Sequence, residues 1–146
     1  MRFQTAEDTR AFGAELAKDL RPGDLVILSG PLGAGKTVLT QGIGRGLGIA
    51  SPITSPTFVI ARVHQGPTPL VHVDAYRVKA DLDDLGIDDD LEQSVVVVEW
   101  GEGVVEGFSD SHLLISMQRH DDDSRTLHVT GVGPRWEGRT VPRGHS

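Results

Sequence analysis

Eight residues in the first third of the chain limit its possible folds more than any other feature. They read Gly30-Pro31-Leu32-Gly33-Ala34-Gly35-Lys36-Thr37 and match the phosphate-binding pattern G-x-x-x-x-G-K-[ST] at every required position. An apolar run at 25–28 precedes them, and a helical pattern from 36 to about 47 follows and stops at Gly48. A strand, a glycine-rich loop and a helix in this order predict an α/β nucleotide-binding domain.

The residue types in this loop suit a bound phosphate. Glycines let consecutive backbone N–H groups wrap an anion, and the following helix adds its positive N-terminal end. We expect Lys36 to reach the β- and γ-phosphates and the Thr37 hydroxyl to bind Mg²⁺. The predicted nucleotide contacts from this segment are Leu32, Gly33, Ala34, Gly35, Lys36, Thr37 and Val38.

Two acidic residues come directly after apolar runs that predict buried strands. Asp74 closes the run that starts at Leu70, and Glu99 closes the run that starts at Val95. In open α/β sheets ligands collect at the carboxyl ends of the strands, so both acids are candidates for the same site. One would bind Mg²⁺ directly or through water and the other would orient the attacking water, which makes Lys36, Asp74 and Glu99 the predicted catalytic residues.

The remaining patterns predict a three-layer P-loop NTPase-type domain over residues 1–132. Thr5 can cap a helix whose apolar positions are Phe12, Leu16 and Leu20. Hairpins are predicted from 58–63 with 70–73 and from 113–117 with 126–129, so the sheet should be mixed parallel and antiparallel. Residues 133–146 are expected to be poorly ordered, with Trp136 either packing back on the domain or anchoring a partner.

Composition excludes several classes of protein. The chain of 146 residues has no cysteine, no apolar run near the roughly 20 residues that span a bilayer and no signal-peptide pattern, so a cytoplasmic protein is predicted. The net charge is −7, and seven acids between 81 and 92 have no base among them. This charge disfavours non-specific nucleic-acid binding, and the acidic run is either a solvated surface or a docking surface for a basic partner.

Five elements of the sequence together resemble the TsaE family. They are the segment 30–37, Ser55-Pro56-Thr57-Phe58, His72-Val73-Asp74-Ala75-Tyr76-Arg77, Leu85-Gly86-Ile87 and Val98-Glu99-Trp100. They occur in the family's order and spacing, and the similarity runs from about residue 5 to residue 129.

The resemblance implies a fold, an activity and partners. TsaE proteins are the small ATPase subunits of the bacterial machinery that makes threonylcarbamoyladenosine in ANN-decoding tRNA. They use ATP and Mg²⁺, hydrolyse ATP weakly alone, and work with the transferase TsaD and its companion subunit TsaB. The resemblance therefore implies contact with tRNA only through that complex, and no membrane partner.

The resemblance also implies roles for individual residues. Thr37 and Glu99 would bind Mg²⁺, and Asp74 would be an essential acid near the metal. Further contacts near the nucleotide would come from Ala6 at the start of the first helix and from Arg125 in the last hairpin. Two segments that change with the bound nucleotide would contribute Thr57, in a first switch at 54–57, and Trp100, in a second switch. The sequence departs from the usual family pattern at Val38, Ala75 and Gly101, none of which supplies a chemical group named above.

Two other functions use the same phosphate-binding motif. A small-molecule kinase normally carries an Arg-rich lid over ATP, whereas the candidate lid at 81–92 is acidic. A GTP-dependent switch would need a guanine-recognition element, and the nearest stretch, Val78-Lys79-Ala80-Asp81, lacks its Asn. Both patterns favour the ATPase.

Overall fold

A mixed β-sheet lies at the centre of the protein. The structure, a computed structural model, describes residues 2–30, 35–49, 61–74, 93–99, 111–122 and 124–136. Within these ranges the strands are β1 (Arg2–Phe3), β2 (Leu25–Ser29), β3 (Ala61–His64), β4 (Leu70–Asp74), β5 (Val95–Glu99), β6 (His112–Arg119) and β7 (Arg125–Val132). Their order across the sheet is β1-β7-β6-β2-β5-β4-β3. The predicted mixed α/β fold is confirmed.

The central strands are parallel and buried on both faces. β2 pairs with β5 on one side and β6 on the other, and β4 also pairs with β5 in parallel. Every residue of β5 is buried, which explains why this strand is a continuous apolar run rather than an alternating one. The strands predicted at 25–28 and 95–98 are confirmed.

Antiparallel hairpins complete the two sides of the sheet. β3 pairs with β4, and β6 pairs with β7, whose outer side carries the short β1. Both predicted hairpins are confirmed, although residues 58–60 of the first lie outside the described part of the chain. The sheet is therefore parallel in the middle and antiparallel at both edges, which confirms the predicted mixed sheet.

The helix α1 (Ala6–Ala17) begins at a capping box. The Thr5 side chain accepts a hydrogen bond from the Asp8 backbone N–H, and the Asp8 carboxylate accepts one from the Thr5 backbone N–H. Phe12 and Leu16 are buried along the helix, and Leu20 is buried just after its end. The predicted cap and apolar positions are confirmed. No helix in the described ranges is long and apolar enough to cross a membrane.

Three glycines let α1 pack directly against α2 (Lys36–Gly46). A Cβ atom added at Gly13 would lie 2.6 Å from the Leu39 carbonyl oxygen, and one added at Gly46 would lie 2.6 Å from the Ala14 carbonyl oxygen. A Cβ atom at Gly42 would overlap the Arg10 carbonyl oxygen. The two helix backbones are thus too close for any side chain at these positions.

The paired helices cover one face of the sheet. Their apolar side chains join those of alternate strand residues in one core, to which Val26, Leu28, Val97 and Ile115 contribute. The intervening residues, such as Ile27 and Val96, point to the other face and are also buried. Side chains on both faces of the sheet are therefore buried. Among the described residues, α1 and α2 both lie on the face that carries Val26 and Leu28.

The segment after β7 turns back onto this core. Pro134–Trp136 forms a short 3₁₀ helix, and the Trp136 side chain is 4% exposed within the core. Of the two alternatives for Trp136, it therefore packs on its own domain. The segment 133–136 packs on the domain through this buried indole, and the predicted domain boundary at 132 stays a prediction. Residues 137–146 lie outside the described residues, and their disorder stays a prediction.

An ion-pair cluster joins the exposed sides of the two helices. Glu7 lies 2.5 Å from Arg10 and 3.2 Å from Arg45, and Arg10 also donates a hydrogen bond to Gln41. The hydrogen bond from Arg10 and then that from Arg45 hold the pKa of Glu7 below its usual value. The charged form of Glu7 is therefore favoured by the folded state.

Replacing Gly42 with Ala should destabilise the fold. Helix propensity alone predicts a gain of about 1 kcal/mol for Gly42→Ala, whereas the overlap with Arg10 predicts a net loss of about 1–3 kcal/mol. Urea denaturation monitored by circular dichroism measures the difference. The control Glu15→Ala, on the exposed face of α1, should change stability by less than about 0.5 kcal/mol. A more stable Gly42→Ala protein would contradict the close packing.

The ion-pair cluster predicts a pH-dependent contribution from Glu7. Because its pKa is lower in the folded state than the ordinary 4.5, its contribution is present above that pH and is lost as the pH falls through the folded value. Urea denaturation from pH 3 to 7 should show Glu7→Gln less stable than wild type at pH 7, with the difference closing in acid. Glu15→Gln, which removes a carboxylate bonded to Lys18 alone among the described residues, should show a smaller difference. A Glu7→Gln difference that stays constant with pH would exclude this origin.

Candidate functional site

The candidate site lies where β2 and β5 end and α2 begins. In the parallel register Leu28 is paired with Glu99, so the last residue of β5 lies beside the end of β2. The chain leaves β2, passes through the glycine-rich loop and enters α2 at Lys36. This topology brings Gly30, the start of α2 and Glu99 to one edge of the sheet, as expected for strands with helical crossovers.

Glycine is required at both ends of the loop. A Cβ atom at Gly30 would lie 2.6 Å from the Met117 carbonyl oxygen on β6. Gly35 is the N-cap of α2 with a φ of 100°, in the left-handed region that favours glycine. Because glycine has no side chain, Gly35 itself does not cap the backbone N–H groups of the first turn, and a helix start of this kind can bind an anion.

Lys36 is a buried cation at the first position of α2. The residue is 6% exposed, and its ammonium group donates a hydrogen bond to the Gly30 carbonyl oxygen. The side chain therefore turns back toward the loop instead of extending into solvent. This direction fits a role toward a phosphate held by the loop, because the ammonium is already desolvated and close to the loop backbone.

Thr37 and Glu99 form the central contact of the site. The Thr37 hydroxyl donates a hydrogen bond of 3.1 Å to Glu99 Oε1, and Glu99 is 5% exposed. Two neighbouring ligands of an octahedral Mg²⁺ at about 2.1 Å lie about 3.0 Å apart. Hydroxyl and carboxylate oxygens are also the donors that Mg²⁺ prefers, so the pair fits the predicted metal in both chemistry and spacing.

His72 lies below Glu99 on the neighbouring strand β4. Its Nε2 atom is 3.4 Å from Glu99 Oε1, and the His72 side chain is fully buried. Glu99 is thus contacted by α2 on one side and by β4 on the other. Its side-chain position is set by tertiary contacts rather than by the local sequence.

Arg125 approaches the loop from the start of β7. A Cβ atom at Gly35 would lie 2.8 Å from Arg125 Nε and 3.6 Å from Met117 Cε. The guanidinium stem therefore packs on the backbone at the N-terminus of α2. The guanidinium stem brings a positive charge to Gly35, and the predicted location of Arg125 near a nucleotide stays a prediction.

Asp74 ends β4 next to Glu99. Asp74 and Glu99 are paired in the parallel register, so their backbones lie on neighbouring strands about 4.8 Å apart. The expected meeting of these two strand ends is thereby confirmed for the backbone. The side chain of Asp74 lies outside the described part of the structure, so its role stays a prediction.

The other predicted site residues divide into two groups. Ala6 begins α1 and Val38 lies in the first turn of α2, and both are half-buried. Their contacts to a nucleotide stay predictions. Outside the described residues lie Leu32, Gly33, Ala34, Thr57 and Trp100. Within the described ranges no three His, Asp or Glu side chains cluster as a metal site, so the fit to Mg²⁺ depends on the Thr37–Glu99 pair.

Two residues that lie against the site, Met117 and His72, are not part of the phosphate-binding motif. Met117 reaches the loop because β6 pairs with β2, and no sequence pattern predicts that pairing. His72 precedes Asp74 by two residues, and the period-2 alternation of a strand could have assigned both residues to one face. The alternation could not have shown that the imidazole lies against Glu99.

Known proteins similar to this chain agree on one family. A Streptomyces coelicolor protein named tRNA threonylcarbamoyladenosine biosynthesis protein TsaE is 55% identical over 138 residues, covering 87% of this chain and 93% of its own length. The Bacillus subtilis protein of the same name is 41% identical over 133 residues, covering 90% and 84%.

A solved structure and a family model lead to the same result. The crystal structure of Bacillus subtilis YdiB superposes with a TM-score of 0.80 at 37% identity, covering 94% of this chain and 87% of that one. The family model described as Threonylcarbamoyl adenosine biosynthesis protein TsaE matches residues 3–127. This chain therefore belongs to the TsaE family.

Proposed function

We propose that this protein is an ATPase subunit that binds and hydrolyses Mg²⁺–ATP in support of a TsaD–TsaB transferase complex. The complex would attach the threonylcarbamoyl group to ANN-decoding tRNA. The observation that carries the proposal is the Thr37–Glu99 hydrogen bond of 3.1 Å beside the buried Lys36. Lys36 and Thr37 are the first two residues of one helix, and Glu99 contacts the second of them, which gives an ammonium, a hydroxyl and a carboxylate of the kinds that a metal-bound triphosphate needs.

Family membership supports the pathway. The relatives from Streptomyces coelicolor and Bacillus subtilis are both named for threonylcarbamoyladenosine biosynthesis in tRNA. The chain covers most of the length of each, so its role need not rest on one shared motif. The net charge of −7 favours contact with tRNA through partners rather than directly.

Each residue of the site would have a separate role. Lys36 would leave the Gly30 carbonyl oxygen and bind the β- and γ-phosphates, with Arg125 adding positive charge near the loop. Thr37 and Glu99 would hold Mg²⁺, which neutralises charge on the phosphate oxygens when bound. Asp74, at the next strand end, would orient the attacking water.

The proposed site has few groups that could activate water. Glu99 is a buried carboxylate at this edge of the sheet, and it is already bonded to Thr37. Asp74 would be the group left to orient the attacking water, so we expect weak hydrolysis by the isolated protein, in which no partner helps to order this site. The partner complex would supply or order a group that activates the attacking water. The whole assembly would act in the cytoplasm.

Replacing the site residues should abolish partner-stimulated hydrolysis. Lys36→Met should weaken ATP affinity about 10- to 100-fold because a charge-assisted hydrogen bond is lost. Glu99→Gln should lower turnover about 100-fold or more while leaving metal-free nucleotide binding close to wild type. The measurements are ATP binding by calorimetry and phosphate release, with and without the cognate TsaD and TsaB proteins.

Two matched controls separate the site from general charge effects. Lys18→Met and Glu15→Gln remove an exposed ion pair on α1, and both should retain wild-type binding and turnover. Turnover that depends on a small-molecule acceptor and ignores the partners would instead identify a kinase. Wild-type turnover in Glu99→Gln would exclude the proposed metal site.

A further inference from the structure

His72 is a polar side chain in the middle of the apolar sheet. It belongs to β4, is 0% exposed, and pairs across the strands with Val97 of β5. The position two residues earlier on the same face is the fully buried Leu70. An aliphatic side chain would suit this place better, because burial of an imidazole requires hydrogen-bond partners.

The hydrogen bonds expected of a buried imidazole are incomplete. Neither Nδ1 nor Nε2 has a hydrogen-bond partner of good geometry in the described part of the chain. Glu99 Oε1 lies 3.4 Å from Nε2, a little beyond the usual N–H···O length. A small rotation of the Glu99 carboxylate would close this gap.

The contact falls on the oxygen that Thr37 also binds. Glu99 Oε1 accepts the Thr37 hydroxyl from α2 and faces His72 Nε2 from β4. The carboxylate is therefore approached from two elements that the sheet holds at fixed positions. A group contacted in this way loses rotational freedom, which is how outer residues orient a metal-binding carboxylate.

We propose that His72 is a positioning residue for Glu99. With a proton on Nε2, the imidazole donates to Oε1 and fixes the orientation in which Glu99 binds Mg²⁺ together with Thr37. The 3.4 Å contact between Nε2 and Oε1 would shorten to a hydrogen bond as the carboxylate takes up this orientation. This inference rests on the proposed Mg²⁺–ATP site and assigns it a residue outside the phosphate-binding loop.

Three substitutions of His72 separate positioning from packing. His72→Leu keeps a similar volume and removes the donor. His72→Gln places an amide nitrogen close to the position of the imidazole Nε2, whereas the shorter side chain in His72→Asn cannot reach it. Gln and Asn are alike in polarity, so a difference between these two variants reports the reach of the donor rather than the burial of a polar group.

The experiment measures Mg²⁺ affinity in the presence of a non-hydrolysable ATP analogue. Fluorescence titration with MgCl₂ gives the affinity, the same analogue titrated in EDTA gives metal-free binding, and thermal unfolding tests the fold. His72→Leu and His72→Asn should weaken Mg²⁺ binding about 10- to 100-fold, and His72→Gln should stay within about threefold of wild type. Binding in EDTA should be unchanged in all of them, and hydrolysis should fall in parallel with Mg²⁺ affinity.

The outcomes distinguish the inference from the proposed function. Mg²⁺ affinity in His72→Leu and His72→Asn equal to wild type overturns the positioning role while the metal site stands. If His72→Leu does not fold, equal losses in Gln and Asn overturn the role, and a loss in Asn alone supports it. Nucleotide binding by wild type that does not respond to Mg²⁺ overturns both the inference and the metal site.

Discussion

The parallel pairing of β2 with β5 is the constraint on which the rest of the structure depends. It fixes Leu28 beside Glu99 and so brings the end of a distant strand to the point where the chain enters α2. The pairing is stabilised by apolar strands that are buried on both faces, as parallel sheets require. A slip of one residue would turn Glu99 away from Thr37 and expose apolar side chains, so core and site select the same register.

The direction of α2 depends on a second constraint, the close contact with α1. Gly13, Gly42 and Gly46 remove side chains where the two helix backbones meet, so the helices touch along a surface without spacers. Glycine inside a helix is unfavourable by about 1 kcal/mol relative to Ala, and the packing across this interface offsets that loss. The first turn of α2, with Lys36 and Thr37, is thereby held against the sheet and the loop.

The site concentrates polar groups that the fold alone does not need. Lys36, His72 and Glu99 are all nearly or fully buried at one edge of an otherwise apolar core. Buried charges lose solvation that their mutual contacts only partly restore, so such groups reduce stability more often than they add to it. Lys36 is bonded to the Gly30 carbonyl oxygen, whereas Glu99 is contacted by both Thr37 and His72. Through the contact between His72 and Glu99, the polar groups at this edge include a residue of β4 as well as residues next to the loop.

Short sequence patterns predict the local elements of this protein. The Thr5 cap, the apolar runs and both hairpins follow from patterns a few residues long, and the structure agrees with them. Which distant groups meet is set by the tertiary structure: Glu99 with Thr37, His72 with Glu99, and Arg125 with Gly35. It also decided that Trp136 packs into the core, where composition favoured a disordered tail. Strand register and helix packing depend on the burial of many residues at once, and a pattern a few residues long cannot report that total burial.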